Sequence, residues 1–224
     1  MVRGETGAGS VKAARRPEVR LPELRGHGGG LEPDGDYDGL EFRGADLGGQ
    51  DGAGARFMDC ALEECALDET RLRRARVLDT VLTGVRGVGT DLAEATLRDV
   101  ELRDPRLGGV QLHGAVLERV RITGGKIDYL NLRSARLTDV VFESCVLVEP
   151  DFSGARLRRV EFVDCALKGA DFGTAELTDV DLRRAAPLEI ARGVGRLAGA
   201  VISTGQLLDL APVLAAELGI RVQD

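Results

Sequence analysis

The chain has no tryptophan, and aromatic residues fill only 4% of its 224 positions. Interfaces draw their energetic anchors mainly from tryptophan, tyrosine and arginine, so an aromatic-lined binding pocket is not expected. Histidine is almost missing as well, with only His27 and His113. No nucleophile motif, metal-spaced cluster or glycine-rich strand-to-helix loop accompanies them, so neither enzyme activity nor a cofactor or metal is expected. No apolar run approaches 18 residues, which excludes a membrane-spanning helix from the expectation. The N-terminal residues are basic but lack an apolar core segment, so no secretory signal is read and cytoplasmic residence is expected.

What is present is a period. From Phe42 to Leu182 a large apolar residue returns at every fifth position without a slip, 29 positions in all, with only Gly52 and Gly87 breaking the rule. Five matches neither a helix (3.6) nor a flat strand (2.0). It matches a coil that turns a corner every five residues and points one residue inward on each side, which is a solenoid. Two residues before each centre stands a small or β-branched residue, such as Ala45, Ala55, Thr70, Thr80, Val100, Ala135 and Val180. Large centres and small corners together fill an interior at native density. Cys60, Cys65, Cys145 and Cys165 all fall at this corner position, so they read as reduced core residues in place of alanine. Cys145 and Cys165 are one coil apart and are expected to stack. Gly52 and Gly87 each remove a large side chain and mark expected soft coils.

Units such as Ala45-Asp46-Leu47-Gly48-Gly49, Ala170-Asp171-Phe172-Gly173-Thr174 and Val180-Asp181-Leu182-Arg183-Arg184 resemble the A-(D/N)-(L/F)-x-x consensus of pentapeptide-repeat proteins. The resemblance implies an all-β fold: a right-handed quadrilateral β-helix of four units per coil and about seven coils, closed by a C-terminal capping and dimerisation helix. Three regions are expected: a flexible lead-in over 1–39 (disordered to about residue 18), the β-helix over 40–184, and a cap over 185–224. Ser203 and Gln206 form a capping-box pair, which predicts a helix from about 204 to 218 ending at Gly219, with Pro212 as a potential kink. Leu207, Leu210, Leu214 and Leu218 make its apolar stripe, able to cover the last coil or to join a second chain. The resemblance to gyrase-binding members implies a homodimer through this segment.

Charge is the remaining clue. Residues 40–184 hold 26 acidic and 21 basic residues, a net of −5. The wall centred on Phe42, Leu62 and their successors is the most acidic, carrying Glu41, Glu63, Glu64, Glu101, Asp104, Glu143, Glu161, Asp164 and Asp181. On the wall of Phe57 and Val77, Arg56 with Asp59, Arg76 with Asp79 and Arg136 with Asp139 are expected to neutralise one another. The quinolone-resistance branch of the family implies a DNA-mimicking protector of DNA gyrase, yet duplex DNA carries a charge about every 1.7 Å, far denser than this rod. A rigid protein-interaction scaffold is therefore the first reading and the gyrase regulator the second. Direct nucleic-acid binding is not expected of an acidic rod.

Overall fold

The computed structural model describes residues 11–223. Every fifth residue does turn inward, and four such units close one coil of a parallel β-solenoid of about eight turns. Strand partners are therefore twenty residues apart: Leu117 pairs with Leu97 below and Leu137 above, all on one wall. At about 4.8 Å per strand the stack is roughly 38 Å long. No helix among the described residues is long and apolar enough to cross a membrane.

The four walls are not equivalent. The fourth wall (centres Phe57 to Leu177) and the first (Phe42 to Leu182) are joined by continuous strands, such as Arg76–Thr83, Val116–Thr123 and Arg136–Glu143. The second wall (Leu47 to Leu167) has three-residue strands such as Lys126–Asp128. The third (Gly52 to Phe172) has only isolated bridges, and its centres accept a turn hydrogen bond, for example Ala75 N–H to the Leu72 carbonyl at 3.1 Å. Sequence follows this difference. On the third wall the residue before the centre is often Asp or Asn, and its side chain accepts the N–H two residues on: Asp51 from Ala53, Asp91 from Ala93, Asn131 from Arg133 and Asp151 from Ser153. These are side-chain turns that pin the bend. Strand walls need no such turn, so arginine or valine is tolerated there.

Corners are made by the second residue after each centre. Nineteen non-glycine residues among those described have positive φ, and every one stands at this position, from Asp34 (φ 54°) to Asp179 (φ 53°). The opposite corner is filled by the small residue. Five of these that carry an O–H or S–H donate to the carbonyl 23 residues earlier: Cys60 to Tyr37, Cys65 to Phe42, Thr70 to Leu47, Thr90 to Leu67 and Cys145 to Ile122, whereas Thr80 and Cys165 donate to the carbonyl two residues earlier. All four cysteines are free and buried.

Phenylalanine is concentrated at the two ends of the lumen. Phe142 stacks on Phe162 at 4.9 Å and Phe152 on Phe172 at 5.1 Å. At the other end Tyr37 stacks on Phe57 at 4.9 Å, and His27 lies 4.6 Å from Phe42. The ladder thus starts before Leu40: Tyr37 occupies a centre position, Asp36–Asp38 pairs with Arg56–Met58, and His27, within the expected lead-in, packs on Tyr37 and Phe42 at the mouth. Between the aromatic ends the lumen is aliphatic, and two apolar cavities of about 70 and 50 Å³ remain around Leu67, Leu82, Leu92 and Leu97. The two glycines behave differently. The void at Gly52 is filled, since a Cβ there would lie 3.1 Å from Leu72 and 3.3 Å from Leu31. At Gly87 the wall has moved inward, and a Cβ would meet the Leu67 backbone at 2.6 Å.

At the C-terminal end the pairing slips by one residue, so that Leu188, not Pro187, opposes Leu167. Ala200–Val201 adds a final short strand on Val180 and Asp181. Helix α1, Thr204–Glu217, then closes the rod, with Ser203 as N-cap in a complete capping box. Gln206 does more than cap: its Nε2 donates to the Leu182 and Ala185 carbonyls, both at 2.7 Å, satisfying strand-edge acceptors of the last coil.

Candidate interaction surfaces

The structure brings the nine carboxylates of the acidic wall onto one side of the rod and gives most of them arginine partners. Arg43 bridges Glu41 at 2.7 Å and Glu63 at 2.9 Å. Arg103 holds Glu101, Arg184 holds Asp164, and Arg183 holds Asp181 at 2.6 Å. Glu143 is paired with Arg121 at 2.7 Å and with Arg16, which also reaches Glu161 at 3.5 Å. The Arg121 hydrogen bond is the main cause holding the Glu143 carboxyl below its ordinary value. Among the described residues, only Glu64 and Asp104 of the nine have no ion pair; their carboxylates lie over Gly84 and Gly124, one coil on.

On the fourth wall the pairing differs from the sequence expectation. Arg56 bonds Asp36 at 2.7 Å and approaches Asp38, not Asp59. Residues three apart on this wall diverge, because the first lies on the strand and the second at the left-handed corner. Partners come instead from the neighbouring coil. The corner column Asp59, Asp79, Asp99, Arg119, Asp139, Arg159, Asp179 shows this directly: Arg119 bonds Asp99 with both arms at 2.6 Å, and Arg159 does the same to Asp139. Asp79 gains no such partner among the described residues, and burial together with Asp99 and Asp59 pushes its carboxyl up.

Asp139 is the most enclosed charge in the rod, with a side chain 0% exposed. Burial alone would raise its pKa, but hydrogen bonds from Arg159 and Arg15 overcome that and hold it far below the usual carboxylate range. Arg15 belongs to the N-terminal segment, which sequence reading treated as disordered. Residues 1–10 of that expectation lie outside the described residues; Lys12 to Arg16 lie against the rod. The Lys12 N–H donates to Asp179 at 3.2 Å, Ala14 N–H to Glu161 at 2.7 Å, and Arg15 N–H to Asp139 at 3.1 Å. Thirteen residues after Lys12, the Arg25 N–H reaches the Gly39 carbonyl at 3.0 Å, in the same corner column. The segment therefore runs down one edge of the rod, against the direction in which the coils climb. Its basic residues were visible in the sequence; their partners, more than 120 positions away, were not.

The helix stripe divides into two. Leu210 is buried against the rod and Leu214 half-buried, on the side of Gln206. Leu207 (49% exposed), Leu208 (70%) and Leu218 (74%) face away, with Ala211 between them. Pro212 sits on the exposed side without ending the helix.

Comparison with known proteins agrees with the repeat. Residues 55–132 match the family described as "Pentapeptide repeat region" and residues 129–162 match "Pentapeptide repeats (8 copies)". No curated protein matches the sequence. Among solved structures, full-length QnrB1, a plasmid-mediated fluoroquinolone resistance protein, is 21% identical over 83% of this chain and 90% of its own, with a TM-score of 0.40. A trypsin-treated QnrB1 variant is 19% identical, covering 90% and 100%, with a TM-score of 0.37. HetL, a pentapeptide repeat protein involved in heterocyst differentiation regulation from the cyanobacterium Nostoc sp., is 21% identical over 77% and 91%, with a TM-score of 0.30. With the five-residue period, the four-walled coil and these matched segments in hand, the chain is a pentapeptide-repeat protein.

Proposed function

We propose that this protein is a non-enzymatic, cytoplasmic, rigid protein-interaction scaffold that works as a homodimer joined through its C-terminal segment. The observation that carries the scaffold reading is the self-neutralised surface. Seven of the nine acidic-wall carboxylates are engaged by arginines, so the wall presents paired charges at fixed coil spacing. Such a surface recognises the matched charges of another protein and does not imitate an unbroken line of phosphates. Pull-down with the full chain and with an Arg43→Glu/Arg103→Glu/Arg183→Glu variant tests it. Partners held by the wild type and lost by a variant of unchanged circular dichroism support the scaffold; background alone from both rejects it.

A second reading is a DNA-mimicking regulator or protector of DNA gyrase, conferring tolerance to gyrase poisons. It is favoured by the loop-free rod with an apolar helix face at its end, which would double the rod's length on dimerisation. Glu64 and Asp104 supply the only unpaired negative charges of the wall among the described residues. Supercoiling and quinolone-cleavage assays decide this reading: no change at large protein excess removes it.

A further inference from the structure

We infer that residues 11–17 form an autoinhibitory strap: they lie along the corner between the fourth wall and the acidic wall, over the upper coils, in place of an extended, arginine-bearing segment of a protein partner, which must displace them to dock. The inference rests on the scaffold reading and names the partner's chemistry.

Geometry supports an occupied peptide track. Lys12 to Arg15 span three residues, about 10 Å when extended. The two coils from Asp179 to Asp139 rise by about the same distance. The strap's spacing thus matches the carboxylates it meets. Three of its donors are backbone N–H groups, which any extended peptide possesses; the others are the Arg15 guanidinium on Asp139 (2.9 and 2.8 Å) and Arg16 between Glu143 and Glu161. A two-armed arginine contact supplies the selectivity. Pro17 is buried although it belongs to no regular element, and Val141, at an outward position, is 0% exposed. Val141 stands between Asp139 and Glu143, the carboxylates that Arg15 and Arg16 hold, so the track offers an apolar spot along with its charges.

The contact is also built to be reversible. Arg15 and Arg16 side chains are 65% and 46% exposed, so each pair is worth little and is screened by salt. Asp139 keeps Arg159 when Arg15 leaves, so no buried charge is stranded. Tethering gives the strap an effective concentration on the order of millimolar, enough to exclude weak ligands and to yield to a matched one.

The test uses the full chain and a fluorescein-labelled peptide copying Val11 to Arg20, followed by fluorescence anisotropy at low salt. An Arg15→Glu/Arg16→Glu variant should bind the peptide at least about tenfold more tightly than the wild type, whose track is filled. Adding Glu161→Gln to that variant, or about 0.5 M salt, should abolish the difference. Equal affinity for both proteins, or no binding to a variant with wild-type circular dichroism, overturns the proposal. Should the variant not fold, hydrogen exchange on the wild type decides: the Lys12, Ala14 and Arg15 amides should be protected at low salt and exposed in Glu161→Gln/Asp179→Asn. Unprotected amides in the wild type overturn the strap. Partners captured equally by the wild type and by Arg15→Glu/Arg16→Glu would sink the strap while leaving the scaffold reading intact.

Discussion

Asp139 and Asp79 stand in the same corner column and are driven in opposite directions by their neighbours. Removing Arg159 would leave Asp139 enclosed with only the exposed Arg15, so Arg159→Ala should cost about 3 kcal/mol in urea unfolding. Arg15→Ala removes a surface arm and should cost no more than about 1 kcal/mol. The pH dependence follows from the shifts. Asp139 is depressed in the fold, so its contribution is fully present above the ordinary carboxylate range and is lost as pH falls below it. Asp79 is raised, so its ionisation opposes folding at neutral pH. Asp79→Asn should therefore stabilise the protein at pH 7 by a few tenths of a kcal/mol and flatten the curve near the acid end. The cysteines allow a separate check. Burial pushes the Cys60 and Cys65 thiols up, and Cys145 is raised by its hydrogen bond with Cys165 and then by burial. None should react with a thiol reagent in the native state, and all four should react together on unfolding, at the unfolding rate.

At the level of elements, the lumen is uneven. Stacked phenylalanines fill the last coils, whereas the mainly aliphatic middle keeps two cavities. Leu102 lies on the first wall, in the column that later holds Phe142 and Phe162, and lines the larger cavity. Leu102→Phe should raise stability by about 1 kcal/mol, read from the urea midpoint at unchanged slope. A loss would show that the middle coils cannot accept an added ring. Much of this level was legible from residues. The five-residue spacing gave the inward column, and Ser203 with Gln206 gave the helix start. The space left by Gly52 is taken by Leu72 and by Leu31, a residue outside the repeat frame and therefore invisible to the period. At Gly87 the backbone comes close to Leu67, and the larger cavity is lined by its neighbours Leu67, Leu82, Leu92 and Leu107. The turn-pinning aspartates were also hidden, since a five-residue consensus does not reveal which of four walls needs a turn.

For the whole molecule, the proposed dimer rests on the exposed face of α1. Leu208 is 70% exposed and touches little within one chain, so Leu208→Asp should leave stability unchanged and convert a dimer to a monomer in light scattering. An unchanged mass would remove this face from the interface. The wall charges act at the same scale: each arginine–carboxylate pair is weak alone, but together they set the surface any partner meets.

By itself the sequence determined the coil, because an uninterrupted period of five admits one way to hide its large residues from water. It also determined the helix cap, a local motif four residues long. Only tertiary structure decided the charge state of the surface and the place of the N-terminal segment. Some ion pairs are local, such as Arg43 with Glu41 and Arg183 with Asp181, but others join residues twenty or more than a hundred positions apart, and there stacking distance and corner geometry choose which carboxylate meets which arginine.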